Sequence, residues 1–342
     1  MRWTMIGLAA AAGLAVTACG AGAPSPTSSV PPSSPTATPT STGTDQTTST
    51  GPLAPLTNLP AASSAAAGKP AVVVLVSGTS PEGLGSADVV YQDVATPTVR
   101  YLAVFQSKSV SAVGPVTSTR PEDAAILAVL HPVTGYNGGS TGFINILDKS
   151  AVKVASYTVH PTAYTTTATG LTASTTSLLG AVTGAQAPPP LFRYRGSDTG
   201  ASTLAPSGVT RPSAVAISVP GLGTENWSFD AGANRWVLSS GGPRVEVANL
   251  VVQTVPFKTV FESRHLGISV QSARVIGGGH AQVFSAAAAG SSGGTAATGT
   301  WSKPHIGDVT NYFDASGQPM AFQPGSTWVI LAPEGTSVSA SG

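Results

Sequence analysis

The feature that most constrains the fold is a stretch of about fifty residues that cannot build a hydrophobic core. Residues 20–70 are mostly Pro, Ser, Thr, Ala and Gly, contain no aromatic side chain, and carry only Asp45 and Lys69 as charges. Such a segment buries too little apolar area to offset the entropy lost on ordering. We therefore expect a disordered tether up to residue 70 and a folded part that begins at Ala71.

A short apolar segment precedes the tether. After the basic residue Arg2, residues 5–18 carry no charge and are too few to span a bilayer, which is typical of a signal peptide. Positions 16–19 read Val-Thr-Ala-Cys and resemble the bacterial lipobox, which ends in the cysteine that receives a lipid. We expect residues 1–18 to be removed and residues 19–70 to link the lipid on Cys19 to the folded part. That lipid would anchor the protein to the extracytoplasmic face of the cell membrane.

The amino-acid counts exclude several classes of function. Cys19 is the only cysteine, so a disulfide within the chain, a multi-thiolate metal site and, once the thiol is lipidated, a cysteine nucleophile are excluded. With 16 Lys and Arg against 15 Asp and Glu, the chain has no basic field for phosphate backbones, and we expect no nucleic-acid partner. The five histidines show no ligand spacing, so we expect no metal and no cofactor.

Residues 71–190 show alternating strand and helix patterns. Ala71–Val76 is a continuous, mostly β-branched run, which favours a strand buried on both faces. Helix-dipole preferences indicate a helix from Arg120 to His131, with acids in its first turn and a histidine in its last. Further strands are predicted at 88–95, 99–106 and 132–136, and a second helix at 141–149. This order predicts a mixed α/β lobe.

The pattern changes after three consecutive prolines, at the end of the boundary segment 184–190. Short β-rich runs separated by turn residues follow. Strands are predicted at 214–219, 225–230, 235–238, 245–255 and 326–331, with a loop at 286–300. Residues 191–342 should therefore form a mostly-β lobe. The predicted fold class is α+β, with two lobes after a disordered tether.

Several motifs resemble those of a known family. Residues 114–120 read Gly-Pro-Val-Thr-Ser-Thr-Arg and resemble the Gly-Pro-Val-Arg-Ser-x-Arg signature of the YerB-like bacterial lipoproteins, a family of undefined function with an N-terminal and a C-terminal domain. Similar segments occur in the family's order at 87–91, 100–106, 138–140, 249–253, 299–303 and 324–329. The first arginine of the signature is Thr117 here. The resemblance implies location and architecture, and it implies no established reaction.

One group of residues in the first lobe has the chemistry of an anion site. Backbone amides of the Gly138-Gly139 turn, the hydroxyl of Ser140 and the guanidinium of Arg120 can all donate hydrogen bonds. The candidate site consists of Arg100, Arg120, Gly138, Gly139, Ser140, His160 and Tyr164. Its candidate ligands are peptide carboxylates, wall phosphates and acidic glycans. The alternative is that Arg120 braces the lobe by pairing with Asp88, Asp93 or Asp123.

The same turn also matches a catalytic pattern. Residues 138–142 read Gly-Gly-Ser-Thr-Gly and fit the Gly-x-Ser-x-Gly nucleophile elbow. A serine hydrolase needs an acid and a histidine downstream, and Asp198 with His265 or His280 has that order. Asp88 with Asp93, or Asp123 with Asp148, is the carboxylate pair that glycoside cleavage would require. The alternative is that Ser140 caps the following helix.

Anchor and tether together favour a receptor over an enzyme. We expect a non-catalytic binding or accessory module of the cell envelope, whose partner is a wall component or a wall-synthesis protein. The alternative is an envelope hydrolase that uses Ser140 or a carboxylate pair. A third possibility is a structural protein with no small ligand.

Overall fold

The computed structural model describes residues 51–94, 99–196, 202–203, 211–240, 245–263, 268–287 and 292–342. Cys19, Asp45, Asp198 and His265, which carry several of the sequence predictions, lie outside these ranges. The lipid-anchor assignment stays a prediction.

Most of the regular structure is β-strand. The helices are α1 Ser64–Ala67, α2 Pro121–Leu127, α3 Thr141–Asp148 and α4 Thr175–Ala181. The strands before residue 190 are β1 Val72–Ser77, β2 Val89–Asp93, β3 Arg100–Phe105, β4 Val133–Gly135, β5 Lys153–Val154, β6 Tyr164–Thr167 and β7 Gly170–Ala173. The later strands are β8 Ser202–Thr203, β9 Ala214–Val219, β10 Gly223–Asp230, β11 Arg235–Leu238, β12 Glu246–Val247, β13 Asn249–Thr254, β14 Phe257–Ser263, β15 Ile268–Ala273, β16 Gly277–Ser285, β17 Thr295–Lys303, β18 Asn311–Asp314, β19 Met320–Ala321, β20 Thr327–Ala332 and β21 Ser337–Ser341.

A ten-stranded mixed sheet organises the structure. Its strand order is β18-β17-β16-β13-β20-β2-β3-β1-β4-β5. Strand β20 lies between β2 and β13 and runs parallel to both. Strands from the two halves of the chain therefore form one sheet, and β20 joins them.

Side chains of the central strands alternate between two buried faces. Val73 and Leu75 of β1 pack in one hydrophobic cluster with Leu127 of α2, whereas Val72 and Val74 pack in a second cluster. The second cluster is covered by Trp227 and Trp236 from a five-stranded sheet of order β12-β11-β10-β9-β21. Burial of both faces explains why β1 is an uninterrupted apolar run.

The predicted fold class is confirmed. The part up to residue 190 mixes helices with sheet, and the part beyond it is mostly strands. Two strands, β9 and β11, have the predicted bounds, and the helix expected at 141–149 is α3. The shared ten-stranded sheet nevertheless means that residue 190 is not a boundary between separate folded units, because Ser49–Gly342 forms one compact unit.

The expected end of the tether at residue 70 is wrong. Residues 51–70 include α1 and pack against the folded part, where Leu56 is fully buried. The hydroxyl of Tyr194 donates to the Leu56 carbonyl oxygen at 2.5 Å, and the Gln106 side chain donates to the Ala67 carbonyl oxygen at 2.9 Å. The segment is ordered by contacts with a core built elsewhere in the chain, which its own composition does not reveal.

The expected loop at 286–300 is also partly wrong. Strand β17 begins at Thr295 and pairs antiparallel with β16 along its whole length. Small residues suit this strand where neighbours approach closely: a Cβ on Gly299 would lie 1.9 Å from the Phe313 carbonyl oxygen of β18. The small residues of β17 therefore indicate close packing between neighbouring strands.

Candidate functional site

The signature segment 114–120 leads from the edge of β1 to the start of α2. The amide of Thr117 donates to the Leu75 carbonyl oxygen at 2.8 Å, and the amide of Asn137 donates to the Thr117 carbonyl oxygen at 2.9 Å. The amide of Thr119 donates to the carbonyl oxygen of Gly138 at 3.1 Å. The signature and the Gly-Gly-Ser turn, which are separate in sequence, are therefore neighbours in the fold.

Close contact between these two motifs requires glycine in the turn. Gly138 and Gly139 have φ values of +82° and +133°, which glycine adopts readily and other residues do not. A Cβ on Gly139 would also lie 2.7 Å from Cγ2 of Thr119. The turn can pack against the signature only because position 139 has no side chain.

An open depression of about 220 Å³ lies where the two motifs meet. We call it the signature cleft, and its lining residues are Ser118, Thr119, Arg120, Gly139, Ser140, Phe143 and Val270. Three of the predicted site residues thus come together in it: Arg120, Gly139 and Ser140. The sequence reasoning missed Val270, which comes from the β14–β15 hairpin and has no signal linking it to the signature.

Arg120 is half-buried at the edge of the cleft. Its Nη1 donates to the Gln271 carbonyl oxygen at 3.4 Å. Among the described residues, no carboxylate forms an ion pair with its guanidinium. The bracing ion pair considered for Arg120 is therefore not formed, and most of its donors are available.

Arg100 does not line the cleft, which corrects its assignment to the anion site. It is 2% exposed, and its guanidinium contacts three buried carboxylates. The distances are 3.0 Å to Asp123, 3.3 Å to Asp93 and 3.4 Å to Glu122. We call these four residues the buried ion cluster. The bracing role belongs to Arg100.

The cluster holds three carboxyl groups against one guanidinium. Burial raises the pKa of Glu122 to about 9, with further increases from the charges of Asp93 and Asp123. Burial alone would lower the pKa of Arg100, but the charges of Asp123 and Asp93 outweigh it and raise that pKa. At neutral pH, Glu122 therefore carries a proton, which reduces the excess negative charge.

Asp123 connects the cluster to the signature. Its Oδ2 accepts hydrogen bonds from the amide of Arg120 at 2.7 Å and from the hydroxyl of Thr119 at 3.0 Å. The Glu122 carboxyl group accepts from the hydroxyl of Ser272 on β15 at 2.6 Å. The cluster thus fixes both the signature backbone and the hairpin that completes the cleft.

Ser140 caps a helix, which is the structural alternative to a catalytic role. It is the N-cap of α3, and its Oγ accepts from the amide of Phe143 at 3.3 Å. Of its proposed partners, Asp198 and His265 are outside the described residues, and His280 does not line the cleft. The described residues lining the cleft contain no histidine or carboxylate to activate the hydroxyl.

The carboxylate pairs proposed for glycoside cleavage are engaged elsewhere. Asp88 is buried and accepts from the amides of Gln106 and Ser107 at 2.6 and 2.7 Å. Asp93 and Asp123 belong to the buried ion cluster, whereas Asp148 is exposed at the end of α3. These positions correct the proposed pairing, because three of the four carboxylates are buried away from solvent.

His160 and Tyr164 are not part of the cleft, which is a second correction to the anion site. Tyr164 is buried, and its hydroxyl donates to the Ala155 carbonyl oxygen and accepts from the Tyr136 amide at 3.1 Å. Neither residue lines the cleft. Tyr164 instead ties β6 to the loop after β5.

Two properties of the described residues bear on other classes of function. No three His, Cys, Asp or Glu side chains among them are grouped so that they could hold a metal ion. Within the same ranges, no helix combines the length and the apolar character of a membrane-spanning helix.

Comparison with known families identifies the chain. Residues 56–177 match the N-terminal domain, and residues 215–329 the C-terminal domain, of the family described as "Protein of unknown function (DUF3048)". The chain belongs to the DUF3048 family. The N-terminal DUF3048 match begins at residue 56, inside the segment that was predicted to be tether.

A solved structure agrees with this membership. The crystal structure of YerB protein from Bacillus subtilis matches with a TM-score of 0.68 and 18% sequence identity, covering 84% of this chain and 99% of that chain. At this identity the likeness shows a shared fold. No curated protein matches the chain. The resemblance to the YerB-like family is confirmed.

Proposed function

We propose that this protein is a lipoprotein of the cell envelope that binds an oxyanion-bearing wall component in the signature cleft without chemical turnover. The observation that carries the proposal is the contrast between two arginines. Arg100 is ion-paired with three carboxylates, whereas Arg120 lines the cleft and forms no ion pair with a described residue. A guanidinium in this state can bind a carboxylate or phosphate through charge-assisted hydrogen bonds.

The rest of the cleft supports binding over catalysis. Phe143 and Val270 give it an apolar wall, and the Gly138-Gly139 turn brings main-chain groups to its edge. The Ser140 hydroxyl already accepts a hydrogen bond as a helix cap. We do not propose the hydrolase alternative, because no observation favours it.

Binding is tested by co-sedimentation of the full chain, in detergent, with purified peptidoglycan. We expect Arg120→Gln to weaken binding about tenfold, as for the loss of a charge-assisted hydrogen bond worth about 1.5 kcal/mol. The matched control is Arg274→Gln, which removes an exposed arginine just after β15 and should bind like the native protein. Competition by inorganic phosphate or by acetate would separate a phosphate ligand from a carboxylate ligand. The proposal fails if native protein does not sediment with peptidoglycan, or if both variants bind equally.

The location is proposed from the sequence alone. The lipobox at positions 16–19 and the low-complexity residues that follow are typical of a lipid-anchored protein. We expect labelled palmitate to be incorporated into the native chain and not into Cys19→Ala, and the variant to leave the membrane fraction. Equal labelling of the two chains would contradict the anchor.

A further inference from the structure

A second concave surface lies on another part of the fold, next to the ordered segment 51–70. It has a volume of about 430 Å³, within the range of small-molecule sites. Phe192, Tyr194, Tyr312 and Phe322 line it, and we call it the aromatic groove. Phe192 and Phe322 stack with ring centroids 4.7 Å apart, so the groove has a rigid apolar wall.

A small cavity adjoins this groove. Its volume is about 20 Å³, which is room for one water-sized group. Leu191, Phe192 and Thr310 line both the groove and the cavity. Gln253 and Lys303 line the cavity only. The rest of the cavity lining is mostly apolar, so Gln253, Lys303 and Thr310 form a small polar patch in it.

Lys303 is a buried cation with an incomplete set of partners. It is 2% exposed, and its Nζ donates to the Asp308 carbonyl oxygen at 2.5 Å. No carboxylate among the described residues lies within ion-pair distance of it. An ammonium group has three donors, and buried charges are normally paired. Burial lowers the pKa of Lys303 to about 8, against a smaller increase from Asp308.

The other polar residues that line the cavity also favour a ligand that accepts hydrogen bonds. The Gln253 Oε1 accepts from the Tyr312 hydroxyl at 2.7 Å, which leaves the Gln253 amide group as a donor. Thr310 adds a hydroxyl. A cavity lined by a lysine, a glutamine and a threonine offers hydrogen-bond donors that suit a carboxylate oxygen.

We propose that the aromatic groove and the cavity that adjoins it form a binding site for a small carboxylate with an aromatic or extended apolar body. One carboxylate oxygen enters the cavity and pairs with Lys303, and the body lies along Phe192 and Phe322. This site is independent of the signature cleft, so either proposal can fail without the other. The lysine completes its ion pair only when the ligand is bound.

The experiment compares two probes that differ in charge. 4-Phenylbutyrate and the neutral 4-phenylbutyramide are titrated into the full chain at pH 7, and the dissociation constants are measured by calorimetry. We expect the carboxylate to bind at least about tenfold more tightly than the amide, the effect of one ion pair worth about 1.4 kcal/mol. Equal dissociation constants, or no binding of 4-phenylbutyrate, would overturn the proposal.

Three variants locate the site. Lys303→Met keeps an unbranched side chain one atom shorter without the charge, and should abolish the preference for the carboxylate. Thr310→Phe should fill the groove, leave Lys303 in place and prevent both probes from binding. Lys258→Met removes an exposed lysine of β14 and should bind like the native protein. Unchanged binding by Lys303→Met or by Thr310→Phe, in a variant that has native fluorescence and unfolds at a midpoint no lower than the native protein's, would place the probes elsewhere and refute the assignment.

Discussion

The Nη2 of Arg100 donates a hydrogen bond to the main-chain oxygen of Ser118 at 2.9 Å. This contact joins the buried ion cluster to the floor of the signature cleft. Arg100 is therefore a positioning residue, which holds the backbone next to Arg120 without facing the solvent. The two arginines of the first lobe have different roles, one internal and one at the surface.

We predict that Arg100→Met lowers the free energy of unfolding by about 3–5 kcal/mol, because it leaves buried carboxylates without their cation. Urea denaturation measures the change. Arg120→Met is the matched control and should cost about 1 kcal/mol or less, since that side chain is half-buried and has no ion pair to a described residue. Similar losses in the two variants would show that Arg100 does not brace the fold.

Glu122 makes stability depend on pH. Its pKa is raised to about 9 in the folded state, so the native protein keeps a proton that the unfolded chain releases above about pH 4.3. The contribution of Glu122 to stability is therefore fully present below about pH 4.3 and falls as pH rises toward 9, by at most about 1.4 kcal/mol per pH unit. Glu122→Gln mimics the protonated acid and should remove this loss. The test is the difference between native and variant unfolding free energies at pH 5.5 and 7.5, and a difference that stays constant would contradict the prediction.

Lys303 makes stability depend on pH in the opposite direction. Its pKa is lowered to about 8 in the folded state, so between about pH 8 and 10.4 the unfolded chain binds more protons and native stability rises with pH. We expect Lys303→Met to be more stable than the native protein at pH 7, by about 1–3 kcal/mol. That advantage should shrink at pH 10, where the native lysine is neutral. An advantage equal at both pH values would rule out the buried charge as its cause.

Two glycines near the cleft should respond in opposite ways to substitution by alanine. Gly139→Ala combines a positive φ with a Cβ 2.7 Å from the Thr119 side chain, and should cost about 1–3 kcal/mol. Gly142→Ala lies in α3, where the nearest atom to a Cβ is 3.9 Å away, and should gain about 0.5–1 kcal/mol. Thermal unfolding distinguishes the two. A neutral Gly139→Ala would mean that the turn does not pack tightly on the signature.

The sequence predicted the elements whose signals are local. The run at 71–76 indicated β1 because both its faces are apolar, and the small polar residue before Thr141 indicated the cap of α3. The position of β20 between β2 and β13 was not predictable, because strand pairing depends on contacts distant in sequence. The ordered segment 51–70 was missed for the same reason, since Leu56 is buried by residues from elsewhere.

The candidate site was predicted only in part. Arg120, Gly139 and Ser140 come together as expected, whereas Arg100 does not, because sequence gives its charge without its partners Asp93 and Glu122. Lys303 was missed although its segment resembles a family motif. Its unusual feature is burial with no ion-paired carboxylate among the described residues, which only the fold reveals.

Strand β20 is near the carboxyl terminus yet completes the middle of the sheet. Any premature stop codon before residue 327 removes the strand that links the two halves, so we expect such alleles to produce no folded protein. The same order of synthesis delays closure of the ten-stranded sheet until β20, Thr327–Ala332, has itself been made.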